Sequence, residues 1–467
     1  IPCGRNRNSQ RYPFYAFTWD ESLGGTNQES RYADVALYKH IFPKDPVTDL
    51  LYRVELSDDN AKLSDFNIRF PFKAMQFLER AETCQDPGCR SRPYKEVYHE
   101  TLKDFPLTYF ADYVGRMVTM SSWDTMACQL HFQPRHLRGG HAHNDRNKFM
   151  FYALEETWII DTGSKSASSE NHSVVVIDDN FDKPGLLPGK TVAFADTPLA
   201  TFAAGDSKAA HGLHNNPKEP FYTPLTLNHH RFERCDRGFY DVPFPLLPNW
   251  NSGMKQMIGK KDQVHGIRKF PVRAFRTCGL VRGQHPYALV TDDIQMDADK
   301  PHKYSFQLVI CKTMSAPDKR DKHVLIDGRD ITLVDCHPTR RRCLVRFVGC
   351  VSDLSYEWRE NDMTLACSVN AISPDFKVLL YPYRDGLDPL PVTHLHQGML
   401  TVQIGDKQND EFAFQNDKHG RESFIMSRNG RTILDFNEFV SPNGAAMHIP
   451  DPISCKDNYP DPRKAPH

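Results

Sequence analysis

The spacing of apolar residues in the first hundred positions predicts helices. Three segments carry apolar side chains at intervals of three and four residues, the spacing of one helix face: 30–41, 45–54 and 71–81. Asp45 followed by Pro46 starts the second segment with an N-cap and a proline at the first helical position. We therefore expect residues 1–106 to form a helical segment.

From about Leu107 onward the period of the pattern changes to two, which is typical of strands. Aromatic and aliphatic residues alternate with other side chains over 149–153, and the alternation resumes over 158–160. The charged pair Glu155-Glu156 lies between these two runs. The arrangement predicts a β-hairpin.

Further strands are predicted nearer the end of the chain. Segments 304–310 and 400–404 alternate in the same way, so we expect two more half-buried strands there. Asn429-Gly430 lies between two alternating runs, and both residue types tolerate a positive φ angle. This dipeptide predicts a two-residue hairpin turn.

Together these patterns predict a mostly β fold with three parts. Residues 1–106 form the helical segment, 107–315 a large antiparallel β-sandwich domain, and 316–467 a smaller C-terminal β domain with a tail. The boundary between the two β domains is placed at the charged stretch 312–322, which contains Pro317.

Charge and hydropathy exclude two classes of partner. Lys and Arg number 58 against 59 Asp and Glu, so the formal net charge of −1 gives no overall basic surface for nucleic acid. No run of about 18 apolar residues occurs, so no membrane span is predicted.

The twelve cysteines predict an oxidising compartment. None has the C-x-x-C spacing of a zinc ribbon, and we expect a chain that is secreted or resides in the lumen of the secretory pathway. Cys84 with Cys89 and Cys336 with Cys343 are candidate disulfides, although spacing leaves the connectivity open and some cysteines can be buried thiols. Because the sequence opens at Ile1 without a leader, we expect a signal or pro-segment to have been removed.

One segment combines several residue types that bind metals. His141 and His143 lie two residues apart, so on an extended chain they share one face. Asp161 follows at the end of the predicted hairpin, and His172 comes eleven residues later. Two imidazoles and a carboxylate suit zinc or manganese with positions left for water. On spacing alone, two polar surface histidines are the alternative.

The sequence around these residues resembles the heparinase II/III-like polysaccharide lyases, and within that group the dermatan sulfate epimerases. An H-x-H-x-D stretch before a strand, a D-x-G at the end of the returning strand, and a later histidine before an apolar strand recur there in this order. The resemblance covers residues from about 107 to 310 and is carried by these segments: 139–149, 160–163, 170–178, 202–207, 273–276 and 287–294.

The resemblance implies a role for each residue of the segment. His141 matches the catalytic histidine of the β domain, and His143, Asp161 and His172 match the ligands of a divalent metal, Mn or Zn. In the family an α/α toroid precedes the β domain and supplies a further histidine and tyrosine. Residues 1–106 are too few for that toroid, so the resemblance implies a remnant, with the remainder missing or supplied by a separate N-terminal chain or other subunit.

Basic residues just before the histidines are candidates for binding substrate. Arg135 and Arg138 could contact an anionic sugar, with a solvated basic loop as the alternative reading. The sequon at Asn171 offers an internal test, because a glycan there would conflict with a metal ligand at the neighbouring His172.

The resemblance implies a partner and a reaction class. The partner is a uronic-acid-containing polysaccharide, and the chemistry is removal of the C5 proton, which leads to epimerisation or to elimination. Whether the chain is an enzyme stays open at this stage. The alternatives are a noncatalytic extracellular matrix or assembly protein with a structural metal, and a glycan-binding module.

Overall fold

The computed structural model describes the chain between residues 106 and 437, apart from the following gaps: 112–114, 125, 135–144, 163–167, 180–189, 209–210, 212, 215–221, 225–230, 236–237, 243–265, 269–270, 337–338 and 418–419. The predicted helices of segment 1–106 lie outside the described residues. The described part is mostly β, as the period-two pattern predicts.

In the described part of the first half of the chain the strands are β1 Thr108–Ala111, β2 Arg116–Met120, β3 Gln129–Gln133, β4 Lys148–Ala153, β5 Glu156–Ile159, β6 Val175–Ile177, β7 Lys190–Asp196, β8 Ala200–Asp206, β9 Leu213–His214, β10 Tyr222–Pro224, β11 Arg231–Cys235 and β12 Gly238–Val242. A 3₁₀ turn covers Ser169–Asn171.

The later strands are β13 Gly266–Arg268, β14 Arg273–Val281, β15 Tyr287–Gln295, β16 His302–Val309, β17 Val324–Asp327, β18 Asp330–Val334, β19 Arg341–Gly349, β20 Ser355–Trp358, β21 Thr364–Ala371, β22 Phe376–Arg384, β23 Val392–His396, β24 Met399–Ile404, β25 Gln408–Asn416, β26 Glu422–Arg428 and β27 Arg431–Asp435. Two one-turn helices, α1 Lys312–Ser315 and α2 Arg320–His323, precede β17.

The strands form four main sheets, in which neighbouring strands are antiparallel. The central sheet has eight strands in the order β17-β18-β19-β22-β15-β14-β8-β7. Strands β1 to β5 form a five-stranded meander, β20-β21-β16-β6 a four-stranded sheet, and β23 to β27 a second five-stranded meander. Two small sheets, β10-β13-β9 and β11-β12, complete the described pairing.

The central sheet is buried on both faces. Successive side chains of a strand point to opposite faces, and accordingly Leu380 belongs to one hydrophobic cluster and Leu379 to another. The cluster of Leu380 includes residues of the β1–β5 meander and of the four-stranded sheet. The cluster of Leu379 includes residues of the β23–β27 meander. The result is a layered β fold with the central sheet in the middle.

The two predicted hairpins are present. Strands β4 and β5 are connected at Leu154 and Glu155, both with positive φ, so the turn lies one residue earlier than the sequence suggested. Strands β26 and β27 are connected by Asn429 and Gly430, whose φ angles are 50° and 76°. Two positive φ angles are what a type I′ turn requires.

The strand predicted over 304–310 is present as β16, but it is not half-buried. Side chains on both of its faces are buried, because Tyr304, Phe306 and Leu308 belong to the hydrophobic cluster of Leu380 and the polar residues between them have partners within the fold. Ser305 Oγ lies 2.8 Å from Ser368 Oγ, and Gln307 Nε2 donates to the carbonyl of Ser169 at 3.2 Å.

Strands from both sides of position 315 pair in the same sheets. Strand β15 pairs with β22 in the central sheet, and β16 pairs with β21 in the four-stranded sheet. The predicted boundary between 315 and 316 therefore does not coincide with a division between sheets. The part after 316 contributes to the central layer and also forms the β23–β27 meander.

One predicted disulfide is wrong. Cys336 and Cys343 are both free thiols: Cys343 is buried in β19 opposite Leu333, and the exposed Cys336 donates to the carbonyl of Thr313. Cys311 is disulfide-bonded. The other predicted pair, Cys84 with Cys89, lies outside the described residues.

Among the helices that the structure describes, none has the length and apolar character needed to cross a membrane.

Candidate functional site

Asp145 lies in a tight turn that leads into β4. The Lys148 amide donates to the Asp145 carbonyl at 3.0 Å, and the Asn147 amide donates to the carbonyl of Gln133 at 2.9 Å. Asn147 has a φ of 63°, a left-handed conformation that asparagine adopts more readily than most residues. This turn fixes Asp145, whose side chain is completely buried.

Asp161 is positioned by the end of β5. The Ile160 amide donates to the carbonyl of Val309 at 2.8 Å, which pins the chain against β16 just before Asp161. The Asp161 side chain is 12% exposed. The hairpin of β4 and β5 thus returns Asp161 to the level of the turn that carries Asp145.

His172 follows the 3₁₀ turn. Ser168 caps that turn by accepting from the Glu170 amide, and the His172 amide donates to the carbonyl of Ser169 at 3.2 Å. The imidazole is fully buried, and its Nδ1 lies 3.2 Å from Asp161 Oδ2. Because a carboxylate only accepts, Nδ1 carries the proton, and in a neutral ring Nε2 keeps the lone pair with which imidazole binds metals.

The three side chains converge. One ligand atom from each of Asp145, Asp161 and His172 lies within 4.8 Å of the others. The sequence predicted two of these residues, Asp161 and His172, as metal ligands, and the structure brings both to the same place.

Lys148 shares the cluster with the two carboxylates. Its Nζ lies 2.7 Å from Asp145 Oδ2 and 2.5 Å from Asp161 Oδ2, and its side chain is 3% exposed. The ammonium therefore bridges both aspartates. One ammonium thus lies between two buried carboxyl groups.

Electrostatics keep Asp161 ionised. Burial opposes its ionisation, but the Lys148 ammonium and the hydrogen bond with His172 outweigh that effect and hold the pKa of Asp161 well below its usual range. Asp161 is thus an anion throughout the physiological pH range, as a metal ligand must be.

A second histidine, His131, lies beside this cluster on β3. It is buried against Tyr152, with ring centroids 5.5 Å apart. Burial, together with the charges of Arg116 and Lys148, lowers the pKa of His131 to about 3. Burial also raises the pKa of Tyr152, with the Asp161 charge acting in the same direction. Both side chains are therefore neutral at physiological pH.

The remaining predicted site residues lie in the gap 135–144, outside the described residues. They are the catalytic candidate His141, the ligand candidate His143, and the substrate-binding candidates Arg135 and Arg138. Their positions stay predictions.

Sequence reasoning did not assign roles to Asp145 and Lys148. The signal for Asp145 was present, since it is the acidic residue of the H-x-H-x-D stretch directly before β4. Lys148 carried no comparable signal, because a lysine at the start of a strand is ordinarily solvated.

The cluster has the donor chemistry of a divalent metal site. Carboxylate oxygen with imidazole nitrogen is a ligand set that suits zinc or manganese. Asp145, Asp161 and His172 could each supply one ligand atom. Lys148 is the feature that fits least, because an ammonium in contact with two ligands repels a cation.

Comparisons with known proteins give similarities among solved structures. No protein-family model and no curated protein matches the chain. The chain is similar to the crystal structure of heparan sulfate lyase HepC from Pedobacter heparinus, with a TM-score of 0.48, 11% identity, and coverage of 86% of this chain and 48% of that chain. It is also similar to the heparinase III BT4657 gene product, with a TM-score of 0.47, 9% identity, and coverage of 86% and 48%.

A structure of heparinase III gives a TM-score of 0.40 at 8% identity, with coverage of 69% of this chain and 42% of that chain. The chain thus spans about half the length of the first two of these proteins.

Proposed function

We propose that this chain acts on uronic-acid-containing polysaccharides by taking part in removal of the C5 proton, as a C5-epimerase or a polysaccharide lyase. A divalent ion, Mn or Zn, is held by His143, Asp161 and His172. The observation that carries the proposal is the buried convergence of Asp161 and His172, which lie eleven residues apart in sequence and meet at 3.2 Å. The resemblance of the surrounding sequence to the heparinase II/III-like enzymes supports it.

The C5 proton of a uronate is difficult to remove because the adjacent carboxylate already bears a negative charge. Removal requires neutralisation of that carboxylate and a base on one face of the ring. A proton returned to the opposite face completes epimerisation, whereas departure of the C4 oxygen completes elimination.

His141 is the proposed proton-transfer residue. It lies two residues from His143, and residues at this spacing share one face of an extended chain, which suits a proton-transfer group beside a metal ligand. Arg135 and Arg138 are proposed to bind the anionic polysaccharide. The family's histidine and tyrosine from the helical toroid would come from a separate chain or a longer precursor.

Contacts within the cluster hold the proposed ligands Asp161 and His172 in place. Asp161 is held as an anion by Lys148, and His172 is oriented by its Nδ1 contact with Asp161. Asp145 is a further candidate ligand, two residues from His143 and part of the same cluster. When bound, the ion would supply positive charge beside the bound sugar.

A second function is favoured by Lys148. Its ammonium already contacts both aspartates, so the cluster can also act as a metal-free salt-bridge network that holds three chain segments together. That arrangement would suit a noncatalytic matrix or assembly protein, or a glycan-binding module.

We also propose that the protein is secreted or resides in the secretory-pathway lumen, where uronic-acid polysaccharides are made and displayed. The disulfide at Cys311 supports this compartment.

Two assays separate these functions. The chain, within its longer precursor or together with the separate chain that supplies the toroid, is loaded with Mn²⁺ or Zn²⁺ and incubated with chondroitin or dermatan tritiated at C5. Tritium release to water is measured alongside the ultraviolet absorbance of unsaturated uronide. The proposal predicts tritium release, reduced by about 10²- to 10⁴-fold in His141→Ala. Tritium release without unsaturated uronide indicates an epimerase, and both together indicate a lyase.

His394→Ala is the matched control, because His394 is an exposed histidine of β23. Its activity should stay near that of the wild type. A folded, ion-loaded chain that gives neither product supports the noncatalytic reading instead.

A further inference from the structure

Arg276 contacts both loops that carry the candidate ligands. It lies in β14 of the central sheet, and its side chain is 1% exposed. Its Nη1 donates to the carbonyl of Asn147 at 3.1 Å and to the carbonyl of Ser173 at 2.8 Å. Asn147 belongs to the turn of Asp145, and Ser173 directly follows His172, so one nitrogen joins two segments that are far apart in sequence.

The guanidinium is itself held rigidly. Its Nε and Nη2 donate to the two carboxylate oxygens of Asp292 at 2.8 and 2.9 Å. Its carbon lies over the ring of Phe306 at 4.8 Å from the centroid. The bidentate pair uses one edge of the planar fork and leaves Nη1 for the two carbonyls, an arrangement that the single nitrogen of lysine cannot reproduce.

The neighbouring strand β8 also contacts the turn of Asp145. Gly205 of β8 is the register partner of Arg276, and its carbonyl accepts from Asn147 Nδ2 at 3.0 Å. A Cβ atom at Gly205 would lie 2.0 Å from Asn147 Oδ1. Arg276 and Gly205, which are adjacent positions on the central sheet, thus both contact the turn that leads from Asp145 into β4.

We propose that Arg276 is a positioning residue that sets the distance between Asp145 and His172 by holding the carbonyls of Asn147 and Ser173 on one guanidinium. The inference rests on the proposed function in one respect, that these side chains bind an ion. Arg276 touches neither the ion nor the sugar, and it acts by preorganising the ligands.

The test compares Arg276→Lys with Arg428→Lys. Arg428 is a matched control: its Nε and Nη2 donate to the two oxygens of Asp410, and its Nη1 donates to the carbonyl of Arg282. The dissociation constant for Mn²⁺ and for Zn²⁺ is measured on each folded full chain by titration calorimetry. Arg276→Lys should weaken binding by about 10- to 100-fold, and Arg428→Lys should change it by less than about twofold.

The double variants R276Q/D292N and R428Q/D410N address the case in which a buried lysine prevents folding. Each removes both charges of its pair together and so leaves no uncompensated buried charge. Wild-type ion affinity in R276Q/D292N or in folded Arg276→Lys overturns the proposal.

Amide hydrogen exchange keeps the test decisive if the wild type binds no ion. The proposal predicts faster exchange in both 145–150 and 171–176 when Arg276 is replaced, and unchanged exchange there when Arg428 is replaced. If the wild type binds no ion but exchange is faster in both segments when Arg276 is replaced, the ion site of the proposed function is refuted and the positioning role is retained. Unchanged exchange in those two segments refutes the positioning role whether or not the ion binds.

Discussion

Lys148 Nζ lies 2.5 Å from Asp161 Oδ2 in the interior of the protein, where it also contacts Asp145. A buried ammonium between two carboxylates stabilises them in the absence of any other cation. It also competes with a metal for the same oxygens, so the stability of the fold and the affinity for an ion are linked at this one side chain.

Lys148→Met should expose that link. Without the ammonium, the buried carboxyl groups of Asp145 and Asp161 lose the cation that bridges them, so unfolding in urea should be easier by about 3–5 kcal/mol. Adding Mn²⁺ or Zn²⁺ should restore more stability to this variant than to the wild type, because the ion replaces the missing charge.

Lys303→Met is the control for Lys148→Met. Lys303 pairs with Asp179 at 2.7 Å near the surface, and its loss should cost about 0–1 kcal/mol and respond little to ions. Equal stabilisation of both variants by the ion would contradict the link at Lys148.

Gly205→Ala should displace the turn of Asp145. The new Cβ would meet Asn147 Oδ1, so we expect a loss of about 1–3 kcal/mol in the free energy of unfolding together with weaker ion binding. Gly279→Ala is the matched control for Gly205→Ala. Its new Cβ would meet the ring of Phe202 at 1.9 Å, in the hydrophobic cluster on the other face of the sheet. It should lower stability and leave the affinity of the folded chain unchanged. A common loss of affinity in both variants would assign the effect to general destabilisation.

The pH dependence of stability should include a contribution from His131. Its pKa in the folded chain is lowered to about 3, whereas the ordinary value is 6.5. Below pH 6.5 the unfolded chain therefore takes up a proton that the folded chain does not, and stability falls as the pH decreases toward 3, by up to about 1.4 kcal/mol per pH unit.

His131→Gln should remove that part of the slope. Urea unfolding measured between pH 7.5 and 4 gives the slope directly, with the exposed His394→Gln as the control. Parallel slopes in the wild type and in His131→Gln would refute the assignment.

The sequon at Asn171 should carry no glycan in the folded protein. Asn171 is 8% exposed, and its Oδ1 accepts from Asn361 Nδ2 at 2.6 Å. A bulky sugar therefore has no room at the amide nitrogen of Asn171, the atom to which a glycan would be attached. Peptide mass spectrometry of the chain produced in a secreting cell should find Asn171 unmodified. A fully occupied site would mean that the loop of His172 is not built as described.

Local features of the fold could be predicted from sequence, because they depend on neighbouring residues. The Asn429-Gly430 turn and the β4–β5 hairpin follow from backbone preferences and period-two alternation. The burial of β16 could not be predicted, since the partners of Ser305 and Gln307 lie 63 and 138 residues away in the chain.

The same distinction holds in the candidate site. The residue types and order of the motif pointed to Asp161 and His172, and the 3₁₀ turn that directly precedes His172 places it against Asp161. The burial of Lys148 depends on how the turn packs against β8 and β14, through Gly205 and Arg276, and no local pattern records that. The error at Cys336 and Cys343 has a similar origin: close spacing suggested a bond, but the β18–β19 register places Leu333 opposite Cys343.

Metal content after dialysis tests the central claim most directly. The wild type should retain about one divalent ion per chain when analysed by plasma mass spectrometry, and His141→Ala should retain it too. His143→Ala, Asp161→Ala and His172→Ala should each lose it while remaining folded by circular dichroism. A metal-free wild type, or equal retention in all of these variants, would contradict the account and leave the cluster as a salt-bridge network centred on Lys148.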